Sequence, residues 1–323
     1  MGEVKLPIER DMWFRLASIS WLLVVPVLLA PSSSLAGSAV VLDQGGRRIP
    51  VERPFRRIIS LYGAHTVNLL ELGVDRELVG ITRADKTVEQ LKSRPVFTYH
   101  DGPERFLAAA PDLVLIRPMI DRGYPNLVRK LEQTGVTVAS LQPRSAEEMY
   151  EYWRALGLLI GKSREAEEMI ARFKQGLEEI SSVLSRMPAA KRKRVYFESI
   201  HSKMKTFSPS SIAIFCLEAA GGVNVATDAV TVRNTNIAEY GKERIMARAD
   251  EIDVYLAQQG PMNRVTIDAI RAEGGFGVIK AVRTGRIHLV DEKMVSRPTP
   301  HLLKGIRSIA RILYPEYFGP GGQ

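Results

Sequence analysis

Short apolar runs alternate with longer amphipathic segments along most of this chain. A polar hairpin is predicted first, over residues 40–54, with Gly45-Gly46 at its turn. The alternation then predicts a parallel sheet flanked by helices. Its expected strands are 57–61, 78–81, 113–116 and 136–141, and its expected helices are 66–72, 103–110 and 124–134.

The pattern changes to helical spacing alone over residues 145–187. Apolar residues such as Trp153, Leu156 and Ile160 recur at intervals of three and four, and Gly161 divides the segment. The second helix begins near Ser163 with acidic residues in its first turn. At 1.5 Å per residue it would span about 35 Å, long enough to bridge two lobes.

Strand and helix alternation resumes in the second half of the chain. This indicates two α/β lobes, which the length of the chain also favours. The expected strands are 194–197, 254–257 and 286–290, and the expected helices are 210–220, 243–249, 267–273 and 300–313. We therefore place an N-terminal lobe at 40–160, an interlobe helix at 163–187 and a C-terminal lobe at 192–318.

A seven-residue motif occurs twice. Residues 104–110 read ERFLAAA and residues 243–249 read ERIMARA, and each copy precedes an apolar run that predicts a strand. The duplication suggests two similar lobes that each carry one acidic side chain, Glu104 and Glu243. A glutamate early in a helix is also favoured by the helix dipole, so a structural role is the simpler alternative for either residue alone.

The first 36 residues have the features of a secretory signal. Two arginines precede the apolar stretch 16–30, and Ser34-Leu35-Ala36 is a plausible cleavage site. The apolar stretch is shorter than the roughly 20 residues that a membrane-spanning helix needs. We expect a protein that is exported to the periplasm, cleaved near Ala36 and monomeric when free.

Composition and charge narrow the classes of function. The single cysteine, Cys216, excludes an internal disulfide and thiolate-bound clusters, so the core must stabilise the fold. The net charge of +9 favours an anionic ligand or surface. Nucleic acid is not expected as a partner, since the basic residues form no recognisable motif. No cofactor and no protein-bound metal are expected.

Basic residues recur where the predicted strands end. Ligands of doubly wound sheets bind at these carboxyl ends. Clustered cations in a cleft favour an anionic ligand, because otherwise they repel one another. The candidate ligand-binding residues are Tyr62, His65, Arg83, Arg117, His201, Lys203, Lys205, Arg233, Arg264 and Arg297. His201, Lys203 and Lys205 are spaced by two, which would place them on one face of a strand.

From about Val41 to Phe318 the chain resembles the periplasmic substrate-binding proteins of cobalamin, haem and ferric-siderophore ABC importers. The resemblance rests on the segments RIISL at 57–61 and PDLV at 111–114, the single long helix and the two glutamates. It implies two Rossmann-like lobes, each a mostly parallel sheet flanked by helices, bridged by one long rigid helix. It also implies that ligand binds between the lobes, and that Glu104 and Glu243 dock onto arginines of a dimeric permease.

Several ligands and functions stay open at this point. An anionic metal chelate is favoured, foremost a ferric siderophore, with haem and a corrinoid as alternatives. An oxyanion such as molybdate is also compatible. A secreted hydrolase is the alternative of another class, but Gly-x-Ser-x-Gly and His-Glu-x-x-His motifs are both absent. An exported interaction protein without a small ligand is the third possibility. We expect no enzymatic activity.

Overall fold

Two separate sheets form around the strands that the sequence predicts. The computed structural model describes residues 39–232 and 235–319. The predicted signal segment, residues 1–36, lies outside this range. Among the described residues, no helix is long and apolar enough to cross a membrane.

The first sheet is fully parallel and follows a hairpin. Its strands lie side by side in the order 78–80, 58–60, 113–116 and 137–140. The side chains of residues 58–60 and 113–116 are buried at every position, which explains why all of them except Ser60 are apolar. The elements are β1 (Ala39–Leu42), β2 (Arg48–Val51), β3 (Ile58–Ser60), α1 (Gly63–Glu71), β4 (Leu78–Gly80), α2 (Pro103–Ala108), β5 (Leu113–Ile116), α3 (Pro118–Gly123), α4 (Pro125–Gln133) and β6 (Thr137–Ser140).

Two helices connect the sheets. The first, α5 (Ala146–Ile160), begins where Ser145 Oγ accepts a hydrogen bond from the Glu148 amide, and it ends at Gly161 with a left-handed φ of 70°. The second, α6 (Ser163–Leu184), has 22 residues and begins at the residue that the sequence indicates.

The second sheet is parallel on one side and antiparallel on the other. On one side, the strands at 194–200, 254–259 and 287–291 pair in parallel, and the short strand at 223–224 also pairs in parallel with 194–200. On the other side, each of the strands at 205–207, 237–239 and 230–231 pairs antiparallel with the strand before it in this outward order. The remaining elements are β7 (Arg194–Ile200), β8 (Lys205–Phe207), α7 (Ile212–Ala219), β9 (Val223–Asn224), β10 (Val230–Thr231), β11 (Ile237–Glu239), α8 (Lys242–Ala247), β12 (Val254–Gln259), α9 (Ile267–Ala272), α10 (Lys280–Arg283), β13 (Ile287–Asp291), α11 (Glu292–Val295), α12 (Leu302–Leu313) and α13 (Pro315–Phe318).

The antiparallel strands are a departure from the expected, mostly parallel sheet. After β7 the chain makes a tight turn over residues 201–204, where Met204 has a φ of 46°. The turn returns the chain alongside β7, so β8 pairs with it antiparallel. The alternation of apolar and polar residues does not reveal such a turn. A left-handed position is usually occupied by glycine or asparagine, and here it is occupied by Met204.

Helix α6 contacts both halves of the chain. It packs against α5 on one side and against α7, α12 and α13 on the other. A continuous hydrophobic core runs through these contacts. Trp153 is fully buried in it, and its indole Nε1 donates to the Pro298 carbonyl at 3.0 Å. Loss of such a side chain to alanine costs about 3–5 kcal/mol. The lobe boundaries at 160 and 192 remain a prediction.

Candidate functional site

The carboxyl ends of β3 and β5 place an aromatic ring beside a guanidinium. Tyr62 follows β3 and Arg117 follows β5, and the two strands are adjacent and parallel. The Arg117 Cζ lies 4.6 Å from the centroid of the Tyr62 ring. A cation over an aromatic face at this distance is attracted by about 0.5–2 kcal/mol. Burial raises the pKa of Tyr62, while Arg117 and Arg297 act in the opposite direction.

A second guanidinium reaches the same place from the other half of the chain. Arg297 follows α11, and its Nη1 lies 2.6 Å from the point that a Cβ on Gly63 would occupy. Its Nη2 pairs with Glu292 Oε1 at 3.3 Å. The exposed fraction is 14% for the Arg297 side chain and 16% for the Glu292 side chain. Tyr62, Arg117 and Arg297 therefore form one cluster, and Glu292 offsets part of its charge.

This cluster retains unused hydrogen-bonding capacity. In the described part of the chain, the buried Nε of Arg117 and Oε2 of Glu292 have no partner. Asp85 lies beside Gly63, with Oδ1 3.2 Å from the point that a Cβ on Gly63 would occupy, and is held by Thr66 Oγ1 and by the amide and hydroxyl of Thr82. The Arg117 Nε and the Glu292 Oε2 are both shielded from solvent, so they would reach a bound molecule only after the two side chains rearrange.

His65 packs against this cluster from within the core: its ring lies edge-on to the Tyr62 ring, with the two centroids 5.2 Å apart. It is fully buried; its Nδ1 lies 2.7 Å from Tyr152 Oη and its Nε2 lies 3.1 Å from the Ile116 carbonyl oxygen. Burial lowers the pKa of His65 to about 3, so the imidazole is neutral. Its position inside α1, one turn after Tyr62, directs it into the core.

The predicted row of His201, Lys203 and Lys205 does not exist. His201 and Lys203 lie in a short 3₁₀ turn, whereas Lys205 begins the returning strand β8 and pairs with Glu239 at 2.6 Å. The spacing of two assumed an extended strand that the turn interrupts.

His201 instead joins a network around the buried Glu198. The His201 Nδ1 lies 2.8 Å from Glu198 Oε2, and the Nε2 lies 3.8 Å from Glu273 Oε2. Glu198 also accepts hydrogen bonds from the Tyr255 hydroxyl and from Asn263 Nδ2. The hydrogen bond with Glu198 raises the pKa of His201.

Arg83, Lys203 and Arg264 are not part of the Tyr62 cluster. Arg83 and Lys203 are exposed, with no ion pair among the described residues. Arg264 is exposed on the wall of a separate cavity of about 500 Å³ at the ends of β12 and β13. Arg233 lies outside the described residues.

Sequence reasoning missed the acids of the site. Glu292, Asp85 and Glu198 were passed over because the search at strand ends was for cations. Glu292 directly follows the last residue of β13, so the strand-end rule itself would have found it. No group of three or more His, Cys, Asp or Glu side chains within residues 39–232 and 235–319 is arranged to hold a metal ion.

The two copies of the motif adopt matching structures. Each glutamate is the second residue of a six-residue helix that follows an N-cap glycine, Gly102 or Gly241. Both glutamates are exposed and form no ion pair with any described residue. The following arginines also match, since Arg105 covers the Phe97 ring at 5.4 Å and Arg244 covers the Tyr240 ring at 5.9 Å.

Comparison with known proteins gives the family of this chain. The family described as periplasmic binding protein matches residues 58–294, well over half of the chain. An uncharacterized ABC transporter substrate-binding lipoprotein of Bacillus subtilis, YvrC, is 23% identical over 283 residues, which are 85% of either chain.

Two solved structures illustrate the likeness in fold. A possible iron-binding periplasmic solute-binding protein from Staphylococcus epidermidis is 26% identical, with a TM-score of 0.70 over 81% of this chain and 100% of that one. The molybdate-binding protein MolA of Haemophilus influenzae is 16% identical, with a TM-score of 0.69 over 87% of this chain and 92% of that one.

Proposed function

The chain belongs to the periplasmic binding protein family, and on this premise we propose that it is the receptor of an ABC importer for an anionic metal chelate. The observation that carries the proposal is the meeting of Arg117 and Arg297 at Tyr62. The two arginines come from opposite halves of the chain, so a ligand held by both would draw the halves together.

The chemistry of the cluster favours a chelate with anionic oxygens and a flat or aromatic part. Guanidinium groups bind carboxylate, catecholate and phosphate oxygens in a forked geometry. The Tyr62 ring offers a surface for stacking. A ferric siderophore combines both features and is the favoured ligand, followed by haem and a corrinoid.

A bare oxyanion is the second candidate. The unpartnered donor at Arg117 Nε favours it, and the fold is shared with the molybdate-binding protein MolA. A bare oxyanion, however, has no apolar part to contact the Tyr62 ring, whereas a chelate does. This difference ranks the chelate first.

Delivery would proceed through the two exposed glutamates. Glu104 and Glu243 would each pair with an arginine of one subunit of the permease dimer, which makes docking bivalent and fixes its orientation. The receptor would act in the periplasm as a monomer, after cleavage of the signal near Ala36.

The ligand is tested by titrating the purified protein with a ferric catecholate, haem, cyanocobalamin and molybdate. We expect saturable binding of one chelate at one site per chain. Arg117→Met with Arg297→Met should weaken it at least 100-fold, and Arg311→Met, which removes an exposed cation from α12, should not. Unchanged affinity in the double variant would refute the assigned site, and preferential binding of molybdate would select the oxyanion.

Docking is tested separately by transport. The double variant Glu104→Ala with Glu243→Ala should lose transport while its ligand affinity stays that of the wild type. Glu178→Ala removes an exposed glutamate from α6 and serves as the matched control. Transport that persists in the double variant would show that the glutamates do not dock.

A further inference from the structure

Three buried side chains, the buried bridge, connect carbonyl groups from the two halves of the protein. They are His65 and Asn68 of α1, which have no exposed surface, and Tyr152 of α5, which has 4%. At one end, His65 Nε2 lies 3.1 Å from the Ile116 carbonyl oxygen, and its Nδ1 lies 2.7 Å from Tyr152 Oη. At the other end, Asn68 Nδ2 lies 3.2 Å from Tyr152 Oη and 2.9 Å from the Pro298 carbonyl oxygen.

The direction of each hydrogen bond follows from the groups at the two ends. A carbonyl oxygen only accepts, so the proton of the His65 ring is on Nε2. Burial lowers the pKa of His65 to about 3, so the ring is neutral and its Nδ1 accepts from the Tyr152 hydroxyl. The Tyr152 oxygen then accepts one proton of the Asn68 amide, and the Pro298 carbonyl accepts the other. Every proton donor of the buried bridge is used, and only one arrangement of protons achieves this.

Both ends of the buried bridge lie next to an arginine of the candidate site. Ile116 directly precedes Arg117, and Pro298 directly follows Arg297. The indole Nε1 of Trp153 donates a second hydrogen bond to the Pro298 carbonyl at 3.0 Å. Two helices of the first half, α1 and α5, therefore hold the main chain beside Arg297, although Arg297 belongs to the second half.

The segment that carries Arg297 is stiff. Pro298 and Pro300 each have a fixed φ. Beyond them, His301 Nε2 lies 3.3 Å from Glu71 Oε1, at the last residue of α1. The segment is thus attached to α1 at both of its ends, and a shift of the buried bridge would move Arg297 with it.

We propose that the buried bridge sets the separation between the guanidinium groups of Arg117 and Arg297, and so selects ligands whose anionic oxygens match that separation. This inference rests on the proposed function. Two guanidinium groups held at a fixed spacing bind a matching pair of anionic groups with a smaller loss of side-chain entropy than two mobile ones. His65, Tyr152 and Asn68 are positioning residues, because they are buried and act through the arginines.

Stability alone does not call for this arrangement. Replacing both partners of a buried hydrogen bond by apolar groups of the same shape is close to neutral. Other residues of the same helices, such as Leu69 and Leu156, pack in the apolar core. Hydrogen bonds depend steeply on angle, so they fix a position more sharply than apolar contacts do. Precision in the placement of the arginines is what the buried bridge adds.

The first test compares Tyr152→Phe with Tyr150→Phe. Tyr152→Phe removes the central hydroxyl of the buried bridge and keeps the ring, whereas Tyr150→Phe removes a hydroxyl outside the bridge from the same helix. With a ferric catecholate as the probe, calorimetric titration should show an affinity about tenfold weaker for Tyr152→Phe and unchanged for Tyr150→Phe. In protein that carries Arg297→Met, Tyr152→Phe should have no further effect. An equal loss in both backgrounds would mean a merely structural role and would overturn the inference.

A second variant and a second probe test the spacing itself. Asn68→Leu cuts the next link of the buried bridge and should weaken binding of the ferric catecholate as Tyr152→Phe does. The anionic oxygens of haem are separated differently from those of the catecholate. Either variant should therefore reduce the preference of the protein between the two probes, and an unchanged preference in both variants would contradict selection by spacing.

Nitrogen NMR of the free protein tests the buried bridge without any ligand. Between pH 5 and pH 8, well above its pKa of about 3, His65 should carry its proton on Nε2. The Arg297 Nε resonance should move in Tyr152→Phe and not in Tyr150→Phe. A proton on His65 Nδ1, or an unmoved Arg297 resonance, would overturn the inference. If the resonance moves but the wild-type protein binds none of the probes, the proposed function is refuted while the positioning of Arg297 stands.

Discussion

The guanidinium of Arg297 lies against Gly63, the first residue of α1, with Nη1 2.6 Å from the point that a Cβ would occupy. The two residues belong to different halves of the chain. Because glycine leaves this space open, Arg297 reaches Tyr62 and the start of α1. The absence of a side chain at residue 63 is thus a condition for the candidate binding site.

Gly63→Ala should therefore weaken ligand binding about tenfold while the fold survives. The new methyl group displaces the flexible end of Arg297, and a tenfold change corresponds to about 1.4 kcal/mol. Calorimetric titration measures the affinity, and thermal unfolding measures the stability. Gly277→Ala, where no atom lies within 4 Å of the added Cβ, should bind like the wild type.

His65 should make the protein less stable in mild acid. Its pKa is 6.5 in the unfolded chain but about 3 in the folded protein, so between these values the unfolded state binds the extra proton. Stability is complete above pH 6.5 and falls as the pH drops towards 3. From pH 7 to pH 5 this group alone should remove about 2 kcal/mol.

Urea unfolding at pH 7 and pH 5 checks this contribution. His65→Gln should lose about 2 kcal/mol less between the two values than the wild type does. Equal losses in both proteins would show that His65 is protonated in the folded state.

His201 should act with the opposite sign. Its pKa is raised, mainly by the hydrogen bond with Glu198, and Glu273 contributes in the same direction. The other neighbours are neutral, Asn263 and the Phe276 ring, and Lys242 is paired with Glu273. The stabilisation is complete below pH 6.5 and is lost as the pH rises through the higher pKa of the folded state.

The free energy of unfolding of His201→Gln relative to the wild type measures this effect. The deficit of the variant should be largest near pH 6 and should shrink at pH 9. A deficit that is independent of pH would mean that His201 contributes only through neutral hydrogen bonds.

Arg47, in the turn between β1 and β2, should stabilise the attachment of this hairpin to the first sheet. It pairs with Asp121 at 2.7 Å, with Asp43 at 3.1 Å and with Glu132 at 2.6 Å, and so joins the hairpin to α3 and α4. Asp43 has no exposed side-chain surface, so removal of the guanidinium leaves a buried carboxylate short of a partner.

We expect Arg47→Met to lower the free energy of unfolding by about 2–3 kcal/mol. The pKa of Asp121, which Arg47 holds below its usual value, should rise in the variant. Chemical denaturation and carboxyl NMR titration measure the two effects. Arg48→Met alters the exposed neighbour on β2 and should be close to neutral.

The sequence by itself determined the long parallel strands and the main helices between them, because hydrophobic periodicity is a local property; it did not predict α3 or the short strands β8 to β11. The strand 113–116 was located to the residue, the long helix was predicted to begin near Ser163, where it does begin, and the duplicated motif located the two matching helices with Glu104 and Glu243. These features depend on which residues must be buried within one element.

Only the tertiary structure decided which strand-end side chains meet. Arg297 reaches Tyr62 because α11 brings it back to Gly63, while His65 turns into the core and Lys205 is carried away by the turn at Met204. Glu198 is held by Tyr255 and Asn263, and Glu292 lies against Gly260, which are contacts between distant segments. Such pairings depend on the crossing of elements in space, which the local alternation of apolar and polar residues does not encode.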